Sequence, residues 1–384
     1  PLECLTKFMK IPRLILPQII DRLSTSDKAV VIYGPRQVGK TTLCREVIDH
    51  LGLKALTVNA DELRYLDVLS SRDHRKLLDF VSNHQLLFLD EAQRIPDIGI
   101  NLKILIDNAP HLKILVTGSS SFELASTISE PLTGRKWVYS LYPIATCELK
   151  ALFNPFELNS QIEERLILGS YPQLFQFERF DQKCDYIRQV ASDYLYKDLL
   201  ALHEVRHADK IRKLLKLLAF QIGNEVSLTE LGTQVEMSKE TVARYLDLLE
   251  KTFVLYPLTG FSRNLRKEVS KMNKYYFYDV GVRNSLIDNF KPLSERDDHG
   301  ALWENFLMME RLKLNHYQRK AVTSYFWRTY TGGEVDYVEE GGGALAGFEF
   351  KWGGKKRKHP ASWLSHYPQA KYQFIDRENW LNFV

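Results

Sequence analysis

The sequence predicts an α/β fold in which a parallel-sheet domain precedes a helical segment and a second, C-terminal α/β region. Three observations predict it. Between about residues 26 and 150, short apolar runs alternate with amphipathic helical stretches, the pattern of strands joined by crossover helices. A glycine-rich loop, GPRQVGKTT at 34–42, joins the first of these runs to the first helix. Strand-like character then returns after about residue 300, in SYFWRTY, EVDYVE and GFEFKW.

The elements follow in order. LILPQII near the start is short, carries Pro17 and is followed by charge, which makes it a poor signal peptide. The chain opens on Pro1, so a few native residues are expected ahead of it. KAVVIY reads as a buried strand, and TTLCREVIDHLG as a helix ending at Gly52. ALTVNA, QLLFLD and LKILVTG read as further strands, with WVYSLYP after them. From about 150 to 220 the pattern is helical, in IEERLILG, CDYIRQVASDYLYKDLLAL and KIRKLLKLLAFQIG. The polar segment DNFKPLSERDDHG reads as a linker. The expected domains are 1–150, a helical lid or connector at 151–207, a helix-turn-helix unit at 208–287, and a C-terminal α/β domain at 288–384.

Composition narrows the class. The 384 residues are 45% hydrophobic and 26% charged, ordinary for a globular chain with ample core. A net charge of +4 is too mild to argue for nucleic acid by itself. Cys4, Cys44, Cys147 and Cys184 stand far apart without a CxxC pair, against a zinc site or disulfide framework and for a reducing cytoplasm. No apolar run approaches membrane-spanning length.

The loop fits G-x-x-x-x-G-K-[ST], with Gly34, Gly39, Lys40 and Thr41 at the fixed positions and Pro35, Arg36, Gln37, Val38 and Thr42 completing the cradle. Glycines let the backbone amides turn inward, and the helix N-terminus adds partial positive charge. Lys40 would reach the β- and γ-phosphates of a nucleotide, and the Thr41 hydroxyl would ligate Mg²⁺. LLFLDEAQ supplies the acidic counterpart at a strand's C-terminal end: Asp90 for the metal and Glu91 to activate water. KILVTGSSS ends in hydroxyl residues, where Ser119, with Thr117 and Ser120 as rivals, is either a γ-phosphate sensor or part of a plain Ser-rich turn. In LTGRK, Arg135 is either a transition-state arginine, in cis or across a subunit interface, or one half of a structural salt bridge. Arg36 faces a phosphate or a neighbouring acid.

GPRQVGKTT, LLFLDEAQ, VTGSSSFEL and PLTGRK, in this order and wording, resemble the prokaryotic AAA-superfamily ATPases that carry a C-terminal domain of unknown function. YPQLF at Tyr171 and YFYDVG at Tyr275 resemble further features of that group. In it, a winged helix and a restriction-endonuclease-like module follow the ATPase. The resemblance implies ATP and Mg²⁺ as cofactors and ATP hydrolysis, and it implies no cellular role.

NEVSLTELGTQVEMSKETVARYLDLLEKTFVLYPLTG reads as helix, turn, helix and hairpin. Ser227 and Glu230 have capping-box spacing, Leu228, Leu231 and Val235 an apolar face, and Ser238 the position of a second cap. Val242, Tyr245, Leu246 and Leu249 form a buried stripe. Lys239, Thr241 and Arg244 are expected to face outward as candidate DNA contacts, with Arg263, Arg266 and Lys267 in a wing. A lid or protein contact is the competing role, since Glu230, Glu240 and Asp247 dilute the charge.

In GEVDYV and GFEFKW, Asp336, Glu349 and Lys351 are expected to converge across a hairpin, with Glu304 from LWENFLMMERL as a fourth member. The set resembles the PD-(D/E)xK nuclease motif, in which carboxylates hold Mg²⁺ and lysine steadies water or phosphate. The KKRK run at 355–358 is either a phosphate grip or a solvated loop. Trp327, Trp352 and Trp363 read as core rather than base-stacking platforms. The leading expectation is a cytoplasmic Mg²⁺-dependent ATPase whose nucleotide state repositions modules acting on DNA. Its rival is a non-hydrolysing, ATP-bound switch for a protein partner or a homo-oligomer, with the C-terminal module catalytically silent.

Overall fold

Five apolar runs become the five strands of a parallel sheet whose inner strands are buried on both faces. In the computed structural model these are β1 (Ala29–Tyr33), β2 (Ala55–Asn59), β3 (Leu86–Asp90), β4 (Lys113–Gly118) and β5 (Lys136–Ser140). Their order is β2-β3-β4-β1-β5, and every pairing is parallel. The structure describes residues 10–118, 131–193, 208–262, 272–329, 333–353 and 361–384.

β1 is buried at all five positions, as a Val/Ile-rich strand between two neighbours requires. LILPQII and the residues after it form α1 (Leu16–Thr25), with Pro in its first turn, where no amide donor is lost, and with Ile19 and Leu23 buried. α2 (Lys40–Leu51) ends at Gly52, whose φ of 62° supplies the left-handed cap and whose amide donates to Ile48 O. α3 (Leu66–Leu69), α4 (His74–Val81) and α5 (Ile98–Asn108) complete this region. It comprises Ile11–Pro143 with Lys251–Phe253.

The second compact unit comprises Ile144–Glu250 with Val254–Val384. Its helices are α6 (Thr146–Leu149), α7 (Pro155–Leu168), α8 (Phe180–Asp193), α9 (Ala208–Phe220), α10 (Leu228–Val235), α11 (Lys239–Lys251), α12 (Val280–Leu286) and α13 (His299–Tyr317). α14 (Ala361–His366) and α15 (Trp380–Phe383) follow. Its strands are β6 (Glu225–Val226), β7 (Leu255–Gly260), β8 (Asn273–Phe277), β9 (Thr323–Arg328), β10 (Glu334–Gly341), β11 (Ala344–Phe350) and β12 (Lys371–Ile375).

Here the structure corrects the expected domain boundary. β7 pairs with β8 and also, in parallel, with β9, so one seven-stranded sheet, β12-β11-β10-β9-β7-β8-β6, runs through both regions expected to be separate. The segment read as a linker is anchored at two buried residues, Leu293 and Arg296, while most of the rest is exposed. Arg296 is buried and ion-paired with Asp298, which also accepts from the buried Arg283. Polar composition marked it as a linker, but Asp288 and Asp298 are held by arginines outside it, Arg188 and Arg283, and Arg296 by Asp298.

The β10–β11 hairpin turns on Gly342 and Gly343, with φ of 58° and 78°, the geometry that glycine adopts without strain. β12 was not anticipated; it joins the sheet parallel to β11. Among the described residues, no helix is long and apolar enough to cross a membrane.

Candidate functional site

In a parallel sheet all C-terminal strand ends meet at one edge, and the register places Tyr33 beside Gly118 and Asn59 beside Asp90 there. The loop at 34–41 rises from this edge. It turns on Gln37 and Gly39, with φ of 60° and 92°. Gly34 is required by space, since a Cβ there would lie 2.1 Å from Leu141 O. α2 begins at Lys40 with no side-chain cap at Gly39, an N-terminus of the kind that serves as an anion site. The buried Lys40 ammonium donates to Gly34 O at 2.9 Å and Pro35 O at 2.8 Å, on the inner wall of the loop. Arg36 is half-buried in the same loop.

Asp90 ends β3 and accepts from the Thr41 hydroxyl at 2.8 Å and from the Thr117 hydroxyl. Thr117 Oγ1 also accepts from the Glu91 amide at 3.2 Å, and the Glu91 carboxylate accepts from Gln93 Nε2 at 2.6 Å. Glu91 sits at φ 56°, a left-handed conformation that costs a non-glycine residue about 1–3 kcal/mol and needs support of this kind. A threonine hydroxyl beside a carboxylate is an all-oxygen donor pair, the chemistry that suits Mg²⁺. Cys44, buried behind the loop, is excluded as a nucleophile, because burial and then the charge of Asp90 push its thiol well above its ordinary range.

The sensor reading divides. Ser119 and Ser120 lie outside the described residues, whereas Thr117, the rival, is fully buried and touches both acidic residues. Arg13 was missed. It donates to Val38 O at 2.9 Å and Tyr142 O at 2.6 Å, clamping the loop from a position with no motif around it. Gln93 was also missed, although it stands inside LDEAQ.

Arg135 is not brought to this site. Its carbonyl accepts from Ala29 N and its guanidinium pairs with Asp107 at 2.8 Å. Residues before β5 lie at the N-terminal edge of the sheet, roughly 16 Å of strand from the loop. Within the chain this is the salt bridge, not the phosphate contact.

In the second unit, Tyr337 pairs with Phe348, so the next pair outward sets Asp336 opposite Glu349. Glu304 on α13, Asp336 on β10, and Glu349 and Lys351 on and just beyond β11 do converge. Burial, then the charges of Glu304 and Glu349, raise the Asp336 carboxyl well above its ordinary range, and Asp336 Oδ2 accepts from Phe350 N at 2.8 Å. Burial likewise raises Glu304, against Lys274. Lys351 Nζ lies 2.7 Å from Glu349 Oε1. Sequence reading missed two members on β8. Lys274 Nζ is 2.9 Å from Glu334 Oε1 and 3.7 Å from Glu304 Oε1, and the Tyr276 hydroxyl donates to Glu304.

A divalent metal does not fit this arrangement as it stands. Among the described residues, no three His, Cys, Asp or Glu side chains form a metal-holding group. Glu304 Oε1, Asp336 Oδ2 and both Glu349 oxygens meet ammonium, hydroxyl or amide donors instead.

On α11 the stripe Val242, Tyr245, Leu246 and Leu249 is buried as expected, and Lys239 and Arg244 are exposed. Thr241 is half-exposed and also shares the helix cap: its amide donates to Ser238 Oγ at 3.2 Å, and its hydroxyl bonds the same oxygen. Arg263, Arg266 and Lys267 and the run at 355–358 lie outside the described residues.

Known proteins match this arrangement. The AAA domain family matches residues 26–150, a domain of unknown function (DUF8612) matches 159–293, and another (DUF4143) matches 299–379. An uncharacterized protein of Mycobacterium tuberculosis is 31% identical over 326 residues, covering 84% of this chain and 70% of its own length. An uncharacterized protein of Methanocaldococcus jannaschii is 24% identical over 303 residues, 74% of this chain and 66% of its own. Among solved structures, the Walker-type ATPase of Pyrococcus abyssi is 18% identical at a TM-score of 0.49, covering 71% of this chain and 94% of its own. The chain therefore belongs to the family of that mycobacterial protein, and within it residues 26–150 match the AAA domain family.

Proposed function

We propose that this chain hydrolyses ATP at the β1–α2 loop, with Mg²⁺. The observation that carries the reading is the continuous chain Thr41–Asp90–Thr117–Glu91, which joins the loop to an acidic pair at the same sheet edge. The loop amides and the α2 N-terminus bind phosphate, and Lys40 offsets its charge. Thr41 and Asp90 would hold Mg²⁺, which when bound neutralises charge developing on the phosphates. Glu91 accepts a proton from the attacking water, while Gln93 and Thr117 hold its side chain and backbone. Purified Lys40→Ala and Glu91→Gln variants test the assignment by steady-state ATP turnover. If both turn over ATP as fast as wild type, it fails.

A second reading concerns the other unit: the lysine-paired carboxylates favour catalytic silence, and the exposed Lys239 and Arg244 favour a contact with DNA phosphates. The nuclease-like module is catalytically silent as folded, and the unit contacts DNA through its surface, with Lys239 and Arg244 meeting phosphates. Fluorescence anisotropy on a duplex across a salt series tests this. Lys239→Ala with Arg244→Ala should lower the slope of log affinity against log salt by about two. An unchanged slope removes α11 from the interface.

A further inference from the structure

β8 belongs to the antiparallel β7–β8 pair expected for a wing, yet two of its side chains enter the carboxylate cluster of the nuclease-like region. Lys274 and Tyr276 are two apart on the strand, so they share a face. Both reach Glu304, and Lys274 also reaches Glu334. Lys274 is only 3% exposed. Burying an ammonium is costly unless carboxylates meet it at close range, and here two do.

A divalent cation at Glu304, Asp336 and Glu349 would need about six oxygen ligands at close to 2 Å. Glu304 already serves Lys274 and Tyr276, Glu349 serves Lys351 and Tyr372, and Asp336 serves the Phe350 amide. A metal entering beside Lys274 would also place like charges within about 4 Å of each other in a poorly solvated site, a repulsion of several kcal/mol.

We propose that Lys274 is a built-in counter-ion that takes the electrostatic place of a divalent cation in the Glu304–Asp336–Glu349 cluster and keeps it free of metal. The inference rests on the silent, nuclease-like reading of this module, and it names the residue that silences it.

Mn²⁺ binding to the full, nucleotide-free chain, followed by electron paramagnetic resonance, tests it, with Asp336→Asn identifying the cluster's share. Wild type should bind no Mn²⁺ that depends on Asp336 below millimolar concentration. Lys274→Met should gain one such ion, with affinity raised about tenfold or more. If wild type binds an Asp336-dependent Mn²⁺ as tightly as Lys274→Met, the lysine is no barrier and the inference is overturned, while the nuclease-like reading stands. A folded Lys274→Met chain that gains no ion also overturns it. A gained ion that Asp336→Asn leaves in place would sink the nuclease-like reading itself. Should Lys274→Met not fold, Lys274→Gln carries the comparison.

Discussion

The Thr41 hydroxyl donates to Asp90 Oδ2 at 2.8 Å across 49 residues of sequence, and the other oxygen of that carboxylate accepts from Thr117. One carboxylate thus ties the end of β3 to the start of α2 and to β4. The three elements that would surround a nucleotide's phosphates are set by hydrogen bonds before any ligand arrives, which lowers the cost of ordering them later.

Thr117 is the first test of this arrangement. Thr117→Val keeps the shape but removes the hydroxyl that holds Asp90 and the Glu91 amide. ATP turnover should fall about 10- to 100-fold while ADP affinity changes by less than about threefold, because the hydroxyl orients catalytic groups rather than the nucleotide. Turnover assays and calorimetric ADP titration measure the two separately.

Arg135 should behave in the opposite way. Arg135→Ala breaks a half-exposed ion pair with Asp107, which is worth about 0–1 kcal/mol. ATP turnover at constant protein concentration should stay within about twofold of wild type. A hundredfold loss would place Arg135 at another subunit's nucleotide and reopen the transition-state role.

Gly281 tests the junction of α12 with the end of α7. A Cβ there would lie 2.0 Å from Leu168 O, a backbone atom that cannot give way cheaply. The same junction is closed by Asp279, which accepts from Ser170 N at 2.8 Å, and by Asn284, which donates to Leu166 O and Ile167 O. Gly281→Ala should destabilise this unit by about 3 kcal/mol or more, read as a lower urea midpoint.

Asp298 sets a pH dependence. Burial alone would raise its carboxyl, but hydrogen bonds from Arg296 and Arg283 outweigh it and hold the pKa at about 2, below the ordinary 3.8. A depressed folded-state pKa contributes stability above the unfolded value and loses it as pH falls through the folded one. The wild-type melting temperature should therefore drop between about pH 4 and pH 2, and Asp298→Asn should remove part of that drop while lowering stability at neutral pH. Thermal melts across that range check both.

The parts of this protein legible in its sequence are those whose signal is local. GPRQVGKTT specifies its loop because glycine placement and backbone amides act within nine residues, and LLFLDEAQ specifies a buried strand with acids at its end. Alternation sufficed for the face shared by Glu349 and Lys351, and helical spacing for the stripe from Val242 to Leu249. Arg135 was readable in principle as well: a residue before a strand in a parallel sheet lies at the edge opposite a loop that follows one.

Tertiary structure alone decided the rest. Arg13 reaches Val38 across 25 residues and Tyr142 across 129, which no motif encodes. The anchoring of 288–300 depends on Arg283 finding Asp298. Lys274 enters the carboxylate cluster only because β7 pairs with β9 as well as β8, making one sheet of two regions. Strand neighbours and buried ion pairs are chosen by long-range packing, where burying a charge succeeds only if a partner from elsewhere in the chain arrives to meet it.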